Sequence, residues 1–444
     1  MKSIWMETAK IPRRNPLAGN KRTEVVVIGA GMAGMLTAFY LQRHGVHVVV
    51  LEANRIGSGQ SGYTTAKITS QHNLIYDKLV RTVGKETARL YGKANQLAVE
   101  EYGKLIEKYS ISCHYEPMDA FLYTLENPQM LKREAETARS LGLPASFVQE
   151  TKLPFSVTGA VQFTGQAQFN PLEFLRDISN GITVYERTKV IKVEGNQVIT
   201  DRGAIKGDHV VFASHYPFVN FPGFYFTRMY QEKSYVLELE PVDFPDGMYL
   251  GVDKKAYSFR KYGDSLLIGY GSHRTGKAPS ESPFKEMRQL GTHFFPQADE
   301  QRVWTAQDCM TLDSIPYIGT YSSLRPQWHV ATGFGKWGMS SSMVAAKILS
   351  MQIIGKKTAF DHVFSPQRHH IKASAYRFAG QSMESVKGLV LAARPGAVRC
   401  PHLGCRMVWN KYDKQWECPC HGSGFEINGK ISSGPAQQSI PFID

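Results

Sequence analysis

Residues 24–52 carry the pattern that restricts this chain most. An apolar run, EVVVIG, begins at Glu24; a glycine-rich turn follows, then a helix-forming stretch from Met32 to His44, then a second apolar run, VHVVVLE, that ends on an acid. Short uninterrupted apolar runs suit strands buried on both faces, as in parallel sheets covered by helices. The order strand, turn, helix, strand predicts a doubly wound α/β domain. Gly29, Gly31 and Gly34 spell G-x-G-x-x-G between strand and helix, and Glu52 closes the second strand eighteen residues after Gly34. The first glycine permits the tight turn, the second lets backbone approach a pyrophosphate, and the third allows close helix packing. The helix start, with Met32 and Ala33, offers free amide N–H groups and a positive dipole to phosphates. Glu52 can accept hydrogen bonds from ribose hydroxyls and disfavours a 2′-phosphate, so NADP is not expected here.

The next segment narrows the dinucleotide. EANRIGSGQSGYTTAK supplies a second loop of small residues, including Ala53, Gly59, Ser61, Thr64 and Thr65 beside Arg55, able to wrap a cofactor too long for one turn. Here the chain resembles the FAD-dependent amine and amino-acid oxidase superfamily, the D-amino-acid oxidase-like proteins. The resemblance implies FAD. It continues in DHVVFAS (208–214), which looks like the family's second adenine-side strand, and in PYIG (316–319) and ATGFGKWGM (331–339), which look like its C-terminal flavin-contacting turn. It covers about residues 1–365, and implies cofactor contacts at Val190, Ala213, Gly333, Gly335, Lys336, Gly338 and Met339. Gly333, Gly335 and Gly338 repeat the glycine spacing, but no second strand ending in an acid follows them. They read as a turn presenting amides to the flavin, not as a separate NAD site.

A different chemistry closes the chain. Six cysteines are present; Cys113 and Cys309 stand alone, while Cys400, Cys405, Cys418 and Cys420 fall within 21 residues, which points to a site and not to a disulfide framework. CPHLGC and CPCHGS give C-x-H-x15-C-x2-H. Cys400, His402, Cys418 and His421 thus offer two thiolates and two imidazoles from two loops. A 2Fe-2S cluster with imidazoles on one iron needs that set, and the neutral ligands raise its reduction potential. These residues resemble the Rieske pattern. A structural zinc site is the competing reading, but zinc knuckles usually space their ligands C-x2-C and have no use for Cys405 and Cys420. In Rieske proteins of the cytochrome bc type the corresponding cysteines form a disulfide, so the resemblance implies a Cys405–Cys420 bond, against the usual rule for a cytoplasmic protein. Ser423 keeps the hydroxyl expected to reach a cluster sulfur, whereas Phe425 stands where high-potential members have Tyr. A lower potential is expected. Only VKGLVLAA (386–393) precedes the first ligand loop as a candidate strand, so the supporting β-base looks shortened and the cluster loops are expected to lean on the flavoprotein body.

Between these ends, residues 75–110 and 126–142 have helical spacing, 183–275 alternates apolar and polar residues, and a strand (328–332) with a long apolar helix (339–354) restores α/β character. The expected architecture is an α/β FAD-binding Rossmann-like domain, discontinuous in sequence, with an antiparallel β substrate domain (α+β) and a small all-β Rieske domain. The expected divisions are a basic N-terminal tail (1–22), the oxidoreductase body (23–365), a linker (366–385) and the Rieske unit (386–444). The net charge is +13, of which the tail, with six Lys/Arg against one Glu, holds five. The rest is spread thinly and reads as a solvated basic surface, so no nucleic-acid partner is expected; an acidic redox partner stays open. No signal-peptide pattern and no membrane-length apolar run is present, so a cytoplasmic protein with no membrane span is expected.

A flavin takes two electrons and a Rieske cluster one, which suggests a two-to-one electron converter. The whole chain resembles bacterial fusions of an FAD-dependent oxidase-like domain with a C-terminal Rieske domain. The leading expectation is oxidation of an amine- or amino-acid-type small molecule, with electrons leaving singly to a protein or small-molecule acceptor. A reductase running in reverse and a non-enzymatic redox sensor remain as alternatives. Lys67, in TTAK, is the candidate for stabilising negative charge at the reduced ring, with a solvated lysine the equal alternative. Arg260 and Tyr257, on SFRKYG, lie where the superfamily often binds substrate carboxylates; an exposed strand face explains them as well. Lys336 and Trp337 are candidate neighbours of the flavin ring. His72, His215 and His273 read as ordinary polar residues.

Overall fold

The computed structural model describes residues 1–440; the last four residues of the expected Rieske unit lie outside the described residues. The strand Lys21–Ile28 pairs in parallel with Val48–Leu51 on one side and with Gly203–Phe212 on the other. Val25, Val26 and Val27 are fully buried: Val25 and Val27 lie under the packed helices Met32–Arg43 and Gly338–Ile353, and Val26 packs on the other face with Val193, Val198 and Val210. The sheet runs in the order Tyr317–Ser322, Arg325–Thr332, Gly203–Phe212, Lys21–Ile28, Val48–Leu51, Thr183–Tyr185. Strands from both ends of the body therefore share one sheet.

The second sheet joins Asp299–Thr311, Met229–Glu240, Ser265–Arg274, Ser258–Tyr262, Met248–Gly251, Glu116–Thr124, Gly159–Gln168 and Lys67–Ile68 in that order. Its pairings are antiparallel except that between Met248–Gly251 and Glu116–Thr124. In Met229–Glu240 the alternation buries Met229, Gln231, Lys233 and Tyr235 on one face. Gln231 and Lys233 are polar residues at interior positions, and both turn toward the C-terminal unit. That unit is a four-stranded sheet, Val408–Asn410, Gln415–Glu417, Gly424–Phe425 and Ile431–Ser433, over a core that includes Met407, Phe425 and all four C-terminal cysteines.

Two expected segments fold differently. The linker (366–385) and the candidate strand (386–393) are largely one helix, Ile371–Ala392. Its buried residues are Gln381, Gly388 and Ala392, so polar and small side chains face inward and the usual apolar-inward period is inverted. Small, polar and apolar residues are mixed along it and Gly380 and Gly388 interrupt it, so no clear helical period marks the segment. Residues 1–22 are not a free tail. They begin with the helix Ile4–Thr8, whose Trp5 is fully buried. Trp5 Nε1 donates to the Thr64 carbonyl at 2.7 Å, and Ser3 Oγ donates to the Gly62 carbonyl. The segment therefore clamps the small-residue loop. Among the described residues no helix is long and apolar enough to cross a membrane.

Candidate functional site: a dinucleotide cavity beside a Cys/His pair of loops

A cavity of about 1230 Å³ opens at the carboxyl ends of the parallel strands and is lined by Ile28, Leu51 and Ala213 among others, the place where such sheets bind nucleotides. Gly29 has φ +107, and a Cβ there would meet the Ala213 carbonyl oxygen at 2.5 Å. A Cβ on Gly34 would lie 1.9 Å from the Gly29 oxygen, whereas one on Gly31 would meet only Ser61 Oγ, at 3.1 Å. Gly29 and Gly34 thus hold strand against helix, and Gly31 leaves bare backbone at the cavity. Ser61 Oγ accepts from the Met32 N–H at 2.9 Å. Glu52 accepts from the Ala30 and Asn54 N–H groups at 2.9 and 2.8 Å. Burial raises its pKa, against those amide donors.

Met32, Ala33, Glu52, Ala53, Gly59, Ser61, Thr64, Thr65, Val190 and Ala213 all line the cavity, as do Gly333, Gly335, Lys336, Gly338 and Met339. The 333–339 turn needs left-handed backbone, with φ +71 at Gly333 and +54 at Gly335, and the Gly335 N–H donates to the Cys309 carbonyl at 2.8 Å. A glycine-floored cradle at one end, this turn at the other and an acid at the ribose position fit FAD. Gly34 is absent from the lining, in keeping with its packing role. Arg55 is absent too, which corrects the expectation. Its guanidinium lies 3.0 Å from the buried Glu186 carboxylate, which would otherwise be an unpaired charge, and it also donates to the Ile11 carbonyl at 3.1 Å.

Of the catalytic candidates, Lys67 lies in the cavity wall, behind Ala66 at φ +55. Its Nζ donates to the Tyr249 carbonyl at 3.2 Å. Burial, together with the Arg260 charge, pushes its pKa down to about 7. Lys336 also lines the cavity, 3.0 Å from Asp308 Oδ2 and 3.7 Å from Glu232 Oε2. Burial lowers its pKa, but the two carboxylates outweigh that and raise it, so it stays charged.

Arg260 does not face the cavity. It is fully buried; Nε donates to Gln168 Oε1 at 2.6 Å, Nη2 to the Phe169 carbonyl at 3.0 Å, and Nη1 to the Thr65 carbonyl. The guanidinium carbon lies 4.8 Å from the Trp5 ring centre. Its donors are spent on protein, which corrects the expected carboxylate-binding role. Tyr257 is likewise displaced: it stacks at 4.5 Å behind Tyr270, and Tyr270 reaches the cavity.

Trp337 lines the cavity and stacks on His72 at 4.8 Å. His72 is buried, contacts Tyr91, Thr69 and Ser340 through its ring nitrogens, and is held neutral by burial, with a pKa of about 3. That is the polar structural part expected of it. His273 lines the cavity and stacks on Tyr235 at 5.7 Å. His215 also lines it, with φ +67 and a buried Nε2 that has no partner.

At the second site the rings of His402 and His421 lie 5.0 Å apart and nearly perpendicular. The Nδ1 atoms of both are buried and unpartnered. His402 Nε2 is 2.9 Å from Asn220 Oδ1; an N–H there leaves Nδ1 as the lone-pair nitrogen, the usual way a second residue fixes a ligand tautomer. Burial lowers the His402 pKa to about 4 and that of His421 to about 3, with His402 and Arg274 adding to the latter. Neutral imidazoles are what a metal requires. The Cys400 thiol is held down, to about 7, by Cys418, by the His402 and Leu403 N–H groups and by the Ser423 hydroxyl, against its burial.

Cys405 and Cys420 are joined as a disulfide, Cα to Cα 6.7 Å. The Sγ atoms of Cys405, Cys418 and Cys420 all lie within 4.8 Å of one another, so the bridge sits beside the ligand loop. Two orphaned imidazole nitrogens and a thiol pair under amide donors fit a 2Fe-2S cluster. Phe425 is fully buried and offers no donor.

The ligand loops rest on the body, as expected. Gln231 Nε2 donates to the His421 carbonyl at 2.7 Å, and Gln307 Nε2 to the Gly422 carbonyl at 2.6 Å. Arg274 donates to the Pro419 and Cys420 carbonyls at 2.9 and 3.1 Å. Lys233 Nζ is buried between Glu417, at 2.6 Å, and Asp413. Residues 430–437 of the C-terminal unit wall the dinucleotide cavity itself, and Lys189 Nζ donates to the Gln437 carbonyl at 2.7 Å. Sequence reasoning missed Gln231, Gln307, Asn220 and Lys233; only the polar residues inside an alternating strand hinted at the first and last.

A dinucleotide cavity on a parallel sheet, opened beside paired Cys/His loops, defines a flavoprotein with a Rieske unit. Residues 24–352 match the family model of the FAD dependent oxidoreductases (DAO) and residues 391–444 that of the Rieske [2Fe-2S] domain, and the chain belongs to the FAD dependent oxidoreductase family with a C-terminal Rieske domain. It is 33% identical to YhfW of Bacillus subtilis (strain 168), named as a Rieske 2Fe-2S iron-sulfur protein, over 100% of this chain and 97% of that one. It is 27% identical to the gamma-glutamylputrescine oxidoreductase of Escherichia coli (strain K12) over 43% of this chain and 49% of that one. Among solved structures, the L-proline dehydrogenase of P. horikoshii shares the fold, with a TM-score of 0.66 and 21% identity over 79% of this chain and 98% of the other.

Proposed function

We propose that this chain oxidises an amine- or amino-acid-type substrate in the cavity and delivers the electrons singly, through its Rieske unit, to a protein or small-molecule acceptor. When bound, FAD supplies a two-electron acceptor and the cluster a one-electron carrier. The observation that carries this reading is Gln307: its backbone N–H donates to Gln60 Oε1 of the small-residue loop at 2.9 Å, while its side chain holds the Gly422 carbonyl of the cluster loop. One residue ties the two sites together. The names of the relatives support the substrate class, since one acts on gamma-glutamylputrescine and another on L-proline.

In this reading Gly29, Gly31 and the helix start hold the pyrophosphate, and Glu52 holds the ribose. Lys67, charged below about pH 7, stabilises negative charge that develops in the cavity. Residues 430–437 exclude water from one side. Cys400, His402, Cys418 and His421 hold the cluster.

The test is anaerobic titration of the purified protein with amines and amino acids, read by visible absorbance and paramagnetic resonance. A substrate that bleaches the flavin bands and then produces the reduced-cluster signal supports the reading, as does little peroxide in air. A substrate that yields stoichiometric peroxide and leaves the cluster oxidised overturns it. Reduction only by a ferredoxin-class donor would reverse the direction.

A further inference from the structure

The helix Ile371–Ala392 is inverted. Its inward side is polar or small: Gln381 is 2% exposed and donates to the Cys420 carbonyl at 3.0 Å. Arg377 donates to Ser314 Oγ at 2.7 Å, and Glu384 pairs with Lys277. A Cβ on Gly388 would lie 2.5 Å from Cys420 Sγ, so the helix rests directly on the disulfide. Its outward side is apolar along its length, with Tyr376 91%, Phe378 48%, Met383 69%, Val386 60%, Leu389 50% and Val390 66% exposed. An apolar stripe this continuous on a water-facing surface marks an interaction site.

Charge selects the occupant. Residues 366–407 contain seven Lys/Arg and a single acid, Glu384; Arg368 is buried against Asp313 and Arg377 turns to Ser314, while the acid is turned inward to Lys277. Lys372, Lys387, Arg394 and Arg399 are exposed beside the stripe. Pairing two copies through this face would bring like charges together, whereas an anionic bilayer surface attracts them while its acyl boundary takes the apolar side chains. We infer that this helix seats the protein on anionic lipid surfaces, lying in the interface plane with the Rieske unit directly beneath it. Nothing spans the bilayer in this arrangement.

The test uses the flavin- and cluster-loaded protein in sedimentation with two kinds of vesicle, phosphatidylcholine alone and phosphatidylcholine mixed with phosphatidylglycerol. The wild type is expected to sediment with the mixed vesicles and to be released by salt. The double variant Val386→Glu/Val390→Glu should bind them at least roughly tenfold more weakly, with flavin and cluster absorbance unchanged as the control for folding. Equal partition of variant and wild type overturns the inference, as does absence of binding to either vesicle. Light scattering of both proteins without lipid supplies the other arm: a dimer that the double variant dissociates would make a second copy the occupant, and a binding defect matched by loss of both chromophores would make the face structural. Either result overturns the lipid assignment.

Discussion

Gln307 donates its side-chain amide to the Gly422 carbonyl at 2.6 Å, inside the turn that follows Cys418. Gln231, on the neighbouring strand, does the same for the His421 carbonyl. Both amides are more than 95% buried, so each bond lacks a water substitute.

Replacing Gln231 with Leu leaves the buried His421 carbonyl and the partly buried Gly434 carbonyl without their donor. The expected cost is roughly 1–3 kcal/mol. It should appear as a lower midpoint for loss of cluster absorbance in guanidinium, with a shifted paramagnetic-resonance line shape and flavin retention unaffected.

Lys233→Met should be more damaging. Asp413 and Glu417 would face each other across a buried gap without their cation, and breaking such a group costs about 3–5 kcal/mol. Limited proteolysis should then release the C-terminal unit from an otherwise folded flavoprotein.

Lys67 gives a pH signature. Its pKa is lowered to about 7, mainly by burial, so the charged form is lost as pH rises through that value. The rate of anaerobic flavin reduction by substrate is expected to fall above about pH 7. Lys67→Met should cut the rate at pH 6 roughly a hundredfold and abolish the break; a break that persists in the variant assigns it elsewhere.

Arg260 should behave as a framework residue. Lys at that position cannot satisfy three acceptors held in a planar fork. Arg260→Lys is expected to lower stability by about 1–3 kcal/mol while leaving KM within about twofold. A KM change far larger than that would restore it to substrate binding.

Phe425→Tyr introduces a hydroxyl donor into the core that holds the four C-terminal cysteines. One added hydrogen bond near the cluster is worth about 1 kcal/mol, or roughly 40 mV for one electron. Voltammetry should show the potential rising.

The glycine cradle, Glu52 at the cavity and the paired C-x-H and C-x2-H loops were legible because local spacing sets their geometry. A tight turn or a two-residue ligand loop needs no distant partner to be recognised. Arg260 and Arg55 misled because a buried guanidinium and a substrate-facing one look alike in one dimension; the difference lies in Gln168, Phe169 and Glu186, far away in the chain. The helix Ile371–Ala392 was read as a linker because Gly380, Gly388 and scattered serines blur its period, and only its contacts with the body show which side is inward. Trp5 passed as part of a charged tail because its socket is built by the loop 62–64. Lys233 was hinted at only as a polar residue in an alternating strand, since its two carboxylates come from the C-terminal unit.

The buried Lys233, Asp413 and Glu417 group has one more consequence. In many electron carriers a tethered head must swing between donor and acceptor, and solvent friction then limits throughput. Here the head is bolted to the strand behind the flavin cavity by charges that cannot separate without meeting apolar protein. The gap between the two centres is therefore set when the chain folds, and internal transfer should be as fast in glycerol as in water.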